Sequence, residues 1–333
     1  MIIGIYDWAN RFIDENSSDN GGSETWLIEI SKAFSKMGIE THVFCNCIFH
    51  KNENITFIPK NKFEQVVKCC YYDKFIYSRG FYKIDLINSA EIDLFLHDEC
   101  CFDGSKHEFE RIKYIFLLSQ HSIDKFNEQY GSSYSSKYKL SFNGINQSLY
   151  NSSIEKKNMM VWSSCVERGY NFFIKSVYPL IKQSVPDFEV KVCQYNQKHI
   201  PTPNGIKYIG KLNKKQLAEL QCQCKLWCYP NIGYHDFGPT SGMPFNETFC
   251  ITAVENACAG ANIVCGYNGG LTTTLPEEIL IGKEYFKNKK LVNNVEYAKL
   301  LADTCIKVLR NEMEIKCDVS KYTWENAARS LLC

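Results

Sequence analysis

Long apolar runs are missing from this chain, in which no stretch approaches the ~18 residues needed to cross a bilayer. The opening Met1-Ile-Ile-Gly-Ile-Tyr-Asp lacks the basic lead of a secretory signal and reads as a first strand. An excess of one charge is missing too. Lys and Arg number 38 against 37 Asp and Glu, a formal net charge of +1, so the broad positive field that a nucleic-acid backbone requires is absent. The 17 cysteines include Cys222, Cys224, Cys228 and the close pairs Cys45/Cys47, Cys69/Cys70 and Cys100/Cys101, yet none forms two C-x-x-C knuckles or meets a matching His pair. Structural zinc is therefore not expected. Several of these cysteines fall in apolar runs, where a free thiol acts as a small hydrophobe, which points to a reducing, cytoplasmic setting. No internal repeat appears. No G-x-G-x-x-G turn follows the first strand, since Gly21-Gly22 arrive only after a long loop, which weakens an oxidoreductase or methyltransferase reading.

What the chain does contain is ordinary globular material: 45% hydrophobic and 23% charged residues over 333 positions, enough for two cores. Short β-branched and aromatic runs alternate with helix-period segments, the pattern of parallel α/β layers. Strands are expected at Ile2–Tyr6, His42–Cys47, Ile55–Ile58, Phe75–Tyr77, Leu94–Leu96, Tyr114–Leu118 and Tyr138–Phe142. A polar loop from Asp14 to Gly22 leads into a helix from Ser23 to Met37, with Gly38 as its C′ residue. Asn146–Asn158 is polar and aperiodic, the best linker candidate. The pattern then restarts with strands at Met159–Trp162, Val190–Val192, Ile206–Ile209, Leu226–Tyr229 and Ile263–Cys265. Helices are expected at Tyr170–Ser184, Leu217–Cys222 and Thr248–Ala259. Domains are accordingly expected at 1–150 and 151–316, followed by a C-terminal helix at 317–333, with a cleft between the two halves.

Gly233–Asn246 carries Gly238, Pro239, Gly242 and Pro244 ahead of the helix expected from Thr248. Such a loop presents free backbone N–H groups and the positive end of a helix dipole to one point, a fitting place for a diphosphate. It reads equally well as the cap of an ordinary core helix. Glu247 and Glu255 bracket this helix start, and a carboxylate can accept from two vicinal hydroxyls, so Glu255 suits a ribose and Glu247 a sugar. A solvated helix face explains the same spacing.

The segment from Pro244 to Gly260, continuing to Gly269-Gly270, resembles the Glu-seven-residues-Glu signature of the large family of retaining GT-B glycosyltransferases. That resemblance implies an α/β GT-B fold of two Rossmann-like, doubly wound domains, with the C-terminal helix crossing back to the first. It assigns Glu247 to the donor sugar, Glu255 to the nucleotide ribose, and Thr248, Phe249, Cys250 and Ile251 to the diphosphate between them. Three other stretches agree in order. Gly21-Gly22-Ser23-Glu24 resembles the family's Gly-Gly loop, which puts Gly22 near donor phosphate and acceptor. Asp93–Asp98 resembles the strand end that places a histidine, here His97, in the cleft near the donor sugar, which makes it a catalytic candidate with Glu247 and Arg168. Ser163–Gly169 resembles the turn whose basic residue, here Arg168, pairs with the diphosphate. Asn143-Gly144, Tyr208-Ile209-Gly210 and Trp324 also match, and Asn143 is placed with the donor-binding residues.

One position departs from the pattern: many relatives carry a second basic residue where this chain has Ser163, which leaves Arg168 helped by helix N-termini and Lys211. No acidic pair with metal-friendly neighbours accompanies these motifs, so the expected reaction uses neither metal nor cofactor. The resemblance implies sugar transfer from a nucleotide-diphosphate sugar, a UDP-sugar by preference, to a glycan or other hydroxyl acceptor with retention of configuration. Contact with a membrane surface stays open, and the alternative is a non-catalytic GT-B module that binds a glycan or a partner chain.

Overall fold

The computed structural model describes residues 1–15, 21–193 and 202–332, and most of the polar loop expected from Asp14 to Gly22 lies outside them. The chain divides into two compact units, one formed by 1–144 with 322–333 and the other by 145–321.

The first unit is built on an eight-stranded sheet. Its strands are β1 (Ile2–Asp7), β2 (Glu40–Cys45), β3 (His50–Asn52), β4 (Ile55–Pro59), β5 (Lys74–Ser78), β6 (Ile92–Leu96), β7 (Ile115–Leu117) and β8 (Tyr138–Leu140), in the order β3-β4-β2-β1-β5-β6-β7-β8. All pairings are parallel except β3 with β4 at one edge. The central strands are buried almost throughout, as a sheet covered on both faces requires. The helix Gly22–Lys36 buries Trp26, Leu27, Ile30, Ala33 and Phe34, and Gly38 at φ +75 ends it in the left-handed conformation that glycine permits. The last helix, Trp324–Ser330, packs against Gly22–Lys36. Gly144 makes that return possible: a Cβ there would lie 2.4 Å from the Trp324 backbone nitrogen.

The second unit repeats the plan. Its strands β9 (Met159–Trp162), β10 (Glu189–Val192) and β11 (Ile206–Tyr208) form one parallel sheet, and β12 (Leu226–Tyr229), β13 (Asn262–Gly266) and β14 (Leu280–Ile281) another. The two meet at the parallel bridge Lys157↔Cys224, where Lys225 N–H donates to the Lys157 and Met159 carbonyls. The resulting order β11-β10-β9-β12-β13-β14 reverses direction between β9 and β12, the switch point of a doubly wound sheet. The helical run after β9 passes through a π-segment at Phe173–Val177. Pro179 accounts for it, because proline has no N–H to close the ordinary turn and its ring would press on the carbonyl four residues back.

Candidate active site

In doubly wound sheets ligands gather beyond the carboxyl ends of the strands at the switch point, so the loops after β9 and β12 are where chemistry is expected. Arg168 and Glu247, two candidates of opposite charge, are both there. Arg168, on the turn after β9, places its guanidinium 3.3 Å from the Glu247 carboxylate and 4.4 Å from the centroid of the Phe245 ring. Tyr229, the last residue of β12, donates its buried hydroxyl to the same Glu247 Oε1 at 2.8 Å. Burial opposes the Arg168 charge, but the neighbouring Glu247 wins and holds the guanidinium above its ordinary value. Burial first and Glu247 second push the Tyr229 phenol well up, so it stays a hydrogen-bond donor.

Arg168 is held in place by Asp236, which sequence reasoning passed over. Its carboxylate accepts from Gly169 N–H at 3.1 Å and Phe172 N–H at 2.6 Å, capping the helical run that follows Arg168. Burial raises the Asp236 carboxyl to about 6 against those hydrogen bonds. Asp236 N–H also donates to the Glu167 carbonyl, so the 233–245 loop is locked to the Arg168 turn.

The helix that follows begins at Ile251, three residues later than expected, because Cys250 takes a left-handed conformation at φ 73. A non-glycine residue there is uncommon and strained, a kind of conformation that concentrates at functional sites. The helix start carries no side-chain cap. Thr248, Phe249 and Cys250 form the approach to it, with the Phe249 carbonyl tied by Thr274 Oγ1 at 2.6 Å. Gly269 and Gly270 back this segment closely: a Cβ on Gly270 would meet the Thr248 carbonyl oxygen at 2.3 Å. Glu255 lies a little over one turn into the helix, beside Tyr150, Gln221 and Lys214; burial raises its carboxyl, which these three neighbours oppose. Lys211 is exposed on the loop after β11.

Several polar atoms around these loops are buried without a hydrogen-bond partner: Ser163 Oγ, Arg168 Nε, His235 Nδ1 and Asn246 Oδ1. Buried polar groups are paired as a rule, so such a group marks strain, a bound water or a binding role. Among the described residues no group of three or more His, Cys, Asp or Glu side chains is placed to hold a metal.

His97, Gly22 and Asn143 belong to the first unit. His97 follows β6 with its ring 4.9 Å from Trp26 and 4.7 Å from Phe95, and burial, aided by Arg79, drives its pKa well down, so the ring is neutral at pH 7. Gly22 is the first residue of its helix. Asn143 is buried with Oδ1 unpartnered. Every described cysteine is a free thiol. Among the described residues no helix is long and apolar enough to cross a membrane.

The architecture is α/β, of the GT-B type. Among solved structures the chain is similar to AviGT4, a glycosyltransferase involved in avilamycin A biosynthesis, with TM-score 0.62 and 10% identity over 99% of this chain and 96% of that one. It is similar to sucrose-phosphate synthase from Thermosynechococcus elongatus, with TM-score 0.59 and 11% identity over 99% and 97%. HepE of Anabaena in complex with UDP and glucose gives TM-score 0.56 and 14% identity over 99% and 94%. No family model and no curated protein sequence matches the chain.

Proposed function

We propose that the chain is a glycosyltransferase that moves a sugar from a nucleotide-diphosphate sugar, a UDP-sugar by preference, to a glycan or other hydroxyl acceptor. One observation carries the reading: the Arg168–Glu247 pair, braced by Tyr229, stands at the switch point of the second unit beside an uncapped helix start. The likeness to HepE, whose structure was solved with UDP and glucose and with UDP-glucose, supports a donor of that class.

Transfer requires the leaving diphosphate to be stabilised as the bond to the anomeric carbon lengthens. Arg168 and the N–H groups at the start of Ile251–Cys258 supply positive potential for that developing charge. Glu247, fixed by Arg168 and Tyr229, is assigned to the hydroxyls of the donor sugar. Glu255 is assigned to the ribose, and its raised pKa marks a carboxyl that gains from two hydroxyl donors. Gly22, Asn143 and His97 keep the roles that the sequence resemblance implies, and Lys211 is kept as the helper of Arg168 at the diphosphate. Retention of configuration, a metal-free reaction and a cytoplasmic setting belong to the same reading.

A donor-hydrolysis and transfer assay over UDP-, ADP- and GDP-sugars tests it. Turnover that falls at least tenfold in Glu247→Ala, with the fold intact by circular dichroism, supports the proposal. Absence of turnover with every donor and a panel of glycan acceptors contradicts it.

A further inference from the structure

The charge count at the switch point leaves a deficit. Arg168 is already matched by Glu247 at 3.3 Å, so the pair brings close to zero net charge to a ligand that carries at least two negative charges. Ser163, at the end of β9, adds a hydroxyl and no charge. Lys211, assigned to the same ligand, is exposed on the loop after β11 and not on the Arg168 turn, which leaves room for a cation beside the guanidinium.

We infer that His235 is that cation: its imidazole, tilted against Phe245 beside Arg168, takes up a proton as the diphosphate binds and grips it together with the guanidinium. The inference rests on the donor reading of this site. His235 lies on the 233–245 loop with its ring centroid 4.9 Å from that of Phe245, the same ring that Arg168 covers at 4.4 Å. Its Nδ1 is buried and unpartnered. The loop is fixed from both sides: Asp236 holds Gly169 and Phe172, His235 N–H donates to the Met243 carbonyl, and Gly242 N–H returns to the His235 carbonyl. The loop that carries the ring is therefore positioned before any ligand arrives.

The groups facing the imidazole explain why the charge waits for the ligand. Burial and Arg168 disfavour the imidazolium, while Glu167 favours it through its carboxylate and its backbone carbonyl, and the balance lies below the ordinary histidine value. Glu247 is paired with Arg168, and Asp236 is engaged with Gly169 and Phe172. A bound diphosphate offsets the repulsion from Arg168 and reverses the balance. Proton uptake on binding follows, and donor affinity falls as pH rises through the pKa of the complex.

The test is calorimetric titration of UDP-glucose, whose diphosphate has no group titrating near neutrality, from pH 5.5 to 8 in buffers of different ionisation enthalpy. The wild-type protein is expected to take up a fraction of a proton and to lose affinity by up to about tenfold per pH unit, the limit for one proton. His235→Gln is expected to bind several-fold more weakly at pH 6 with no uptake and no slope. His235→Lys is expected to bind tightly with no slope, a rescue that a merely structural histidine would not give. Binding that is lost in Arg168→Ala but unchanged in His235→Gln at every pH overturns this inference alone. Failure of the wild-type protein to bind UDP-, ADP- or GDP-glucose overturns the donor reading beneath it.

Discussion

The Tyr229 hydroxyl donates to Glu247 Oε1 at 2.8 Å, joining the end of β12 to the segment that opens the Ile251–Cys258 helix. Arg168 meets the same oxygen at 3.3 Å, so two neighbours converge on one end of the carboxylate. Removing the phenol leaves the negative charge one donor short in a buried place, a loss of about 1–3 kcal/mol. Tyr229→Phe is thus expected to lower the melting temperature by several degrees and to reduce turnover by about tenfold, with a smaller change in donor KM. Unchanged kinetics would show that Glu247 needs no such brace.

A second expectation concerns pH and lies in the first unit. Asp7, at the end of β1 in register with Ser78, is buried with Oδ2 unpartnered, and burial raises it from 3.8 to about 6 against the pull of Lys60 and Arg79. A carboxyl that holds its proton more tightly when folded favours the native state below about pH 4 and loses that contribution as pH rises to about 6. Asp7→Asn is therefore expected to stabilise the protein at pH 7 by up to about 3 kcal/mol. It should also flatten the fall in stability between pH 4 and 6, read by urea unfolding.

The return of the last helix gives a third. Any side chain at Gly144 would press on backbone, with Trp324 N at 2.4 Å and the Thr323 carbonyl carbon at 2.6 Å. Gly144→Ala is expected to cost about 1–3 kcal/mol, as overpacking does. Circular dichroism melts measure it, and a melting point equal to the wild type would mean the helix start can shift freely.

Metal removal is the fourth. On the proposed mechanism the diphosphate charge is met by Arg168, His235, Lys211 and backbone N–H groups. Turnover in excess EDTA should match the untreated rate, and loss of activity restored by added Mg2+ or Mn2+ would refute the metal-free scheme.

Much of the architecture was legible because period and composition carry it. Met159–Trp162 and Leu226–Tyr229 emerge with the expected bounds, since continuous apolar runs of that length, bounded by turn residues, fit buried parallel strands. The edge strand His50–Asn52 was missed, being short, polar and half exposed. The helix expected from Thr248 begins at Ile251, because nothing in Thr-Phe-Cys announces a left-handed residue where glycine or asparagine is usual. Arg168 and Glu247 were found by motif, 79 positions apart, and the structure brings them to 3.3 Å. Tyr229, His235 and Asp236 were not singled out. Their roles arise from contacts with Glu247, Phe245 and the turn at Gly169, which depend on the strand order and leave no local trace. A signal for Asp236 did exist, in an acid standing in a Gly-rich loop directly after a strand.

In the proposed function the second unit grips a nucleotide diphosphate through Arg168 and the helix start at Ile251. Thermal denaturation with increasing UDP measures this directly, since a ligand bound only by the folded state stabilises it by about 2.7 kcal/mol at 100 times its Kd. The wild-type midpoint is expected to climb steadily with UDP while that of Arg168→Ala barely moves. A wild-type midpoint indifferent to UDP, ADP and GDP, or an equal climb in the variant, would contradict it.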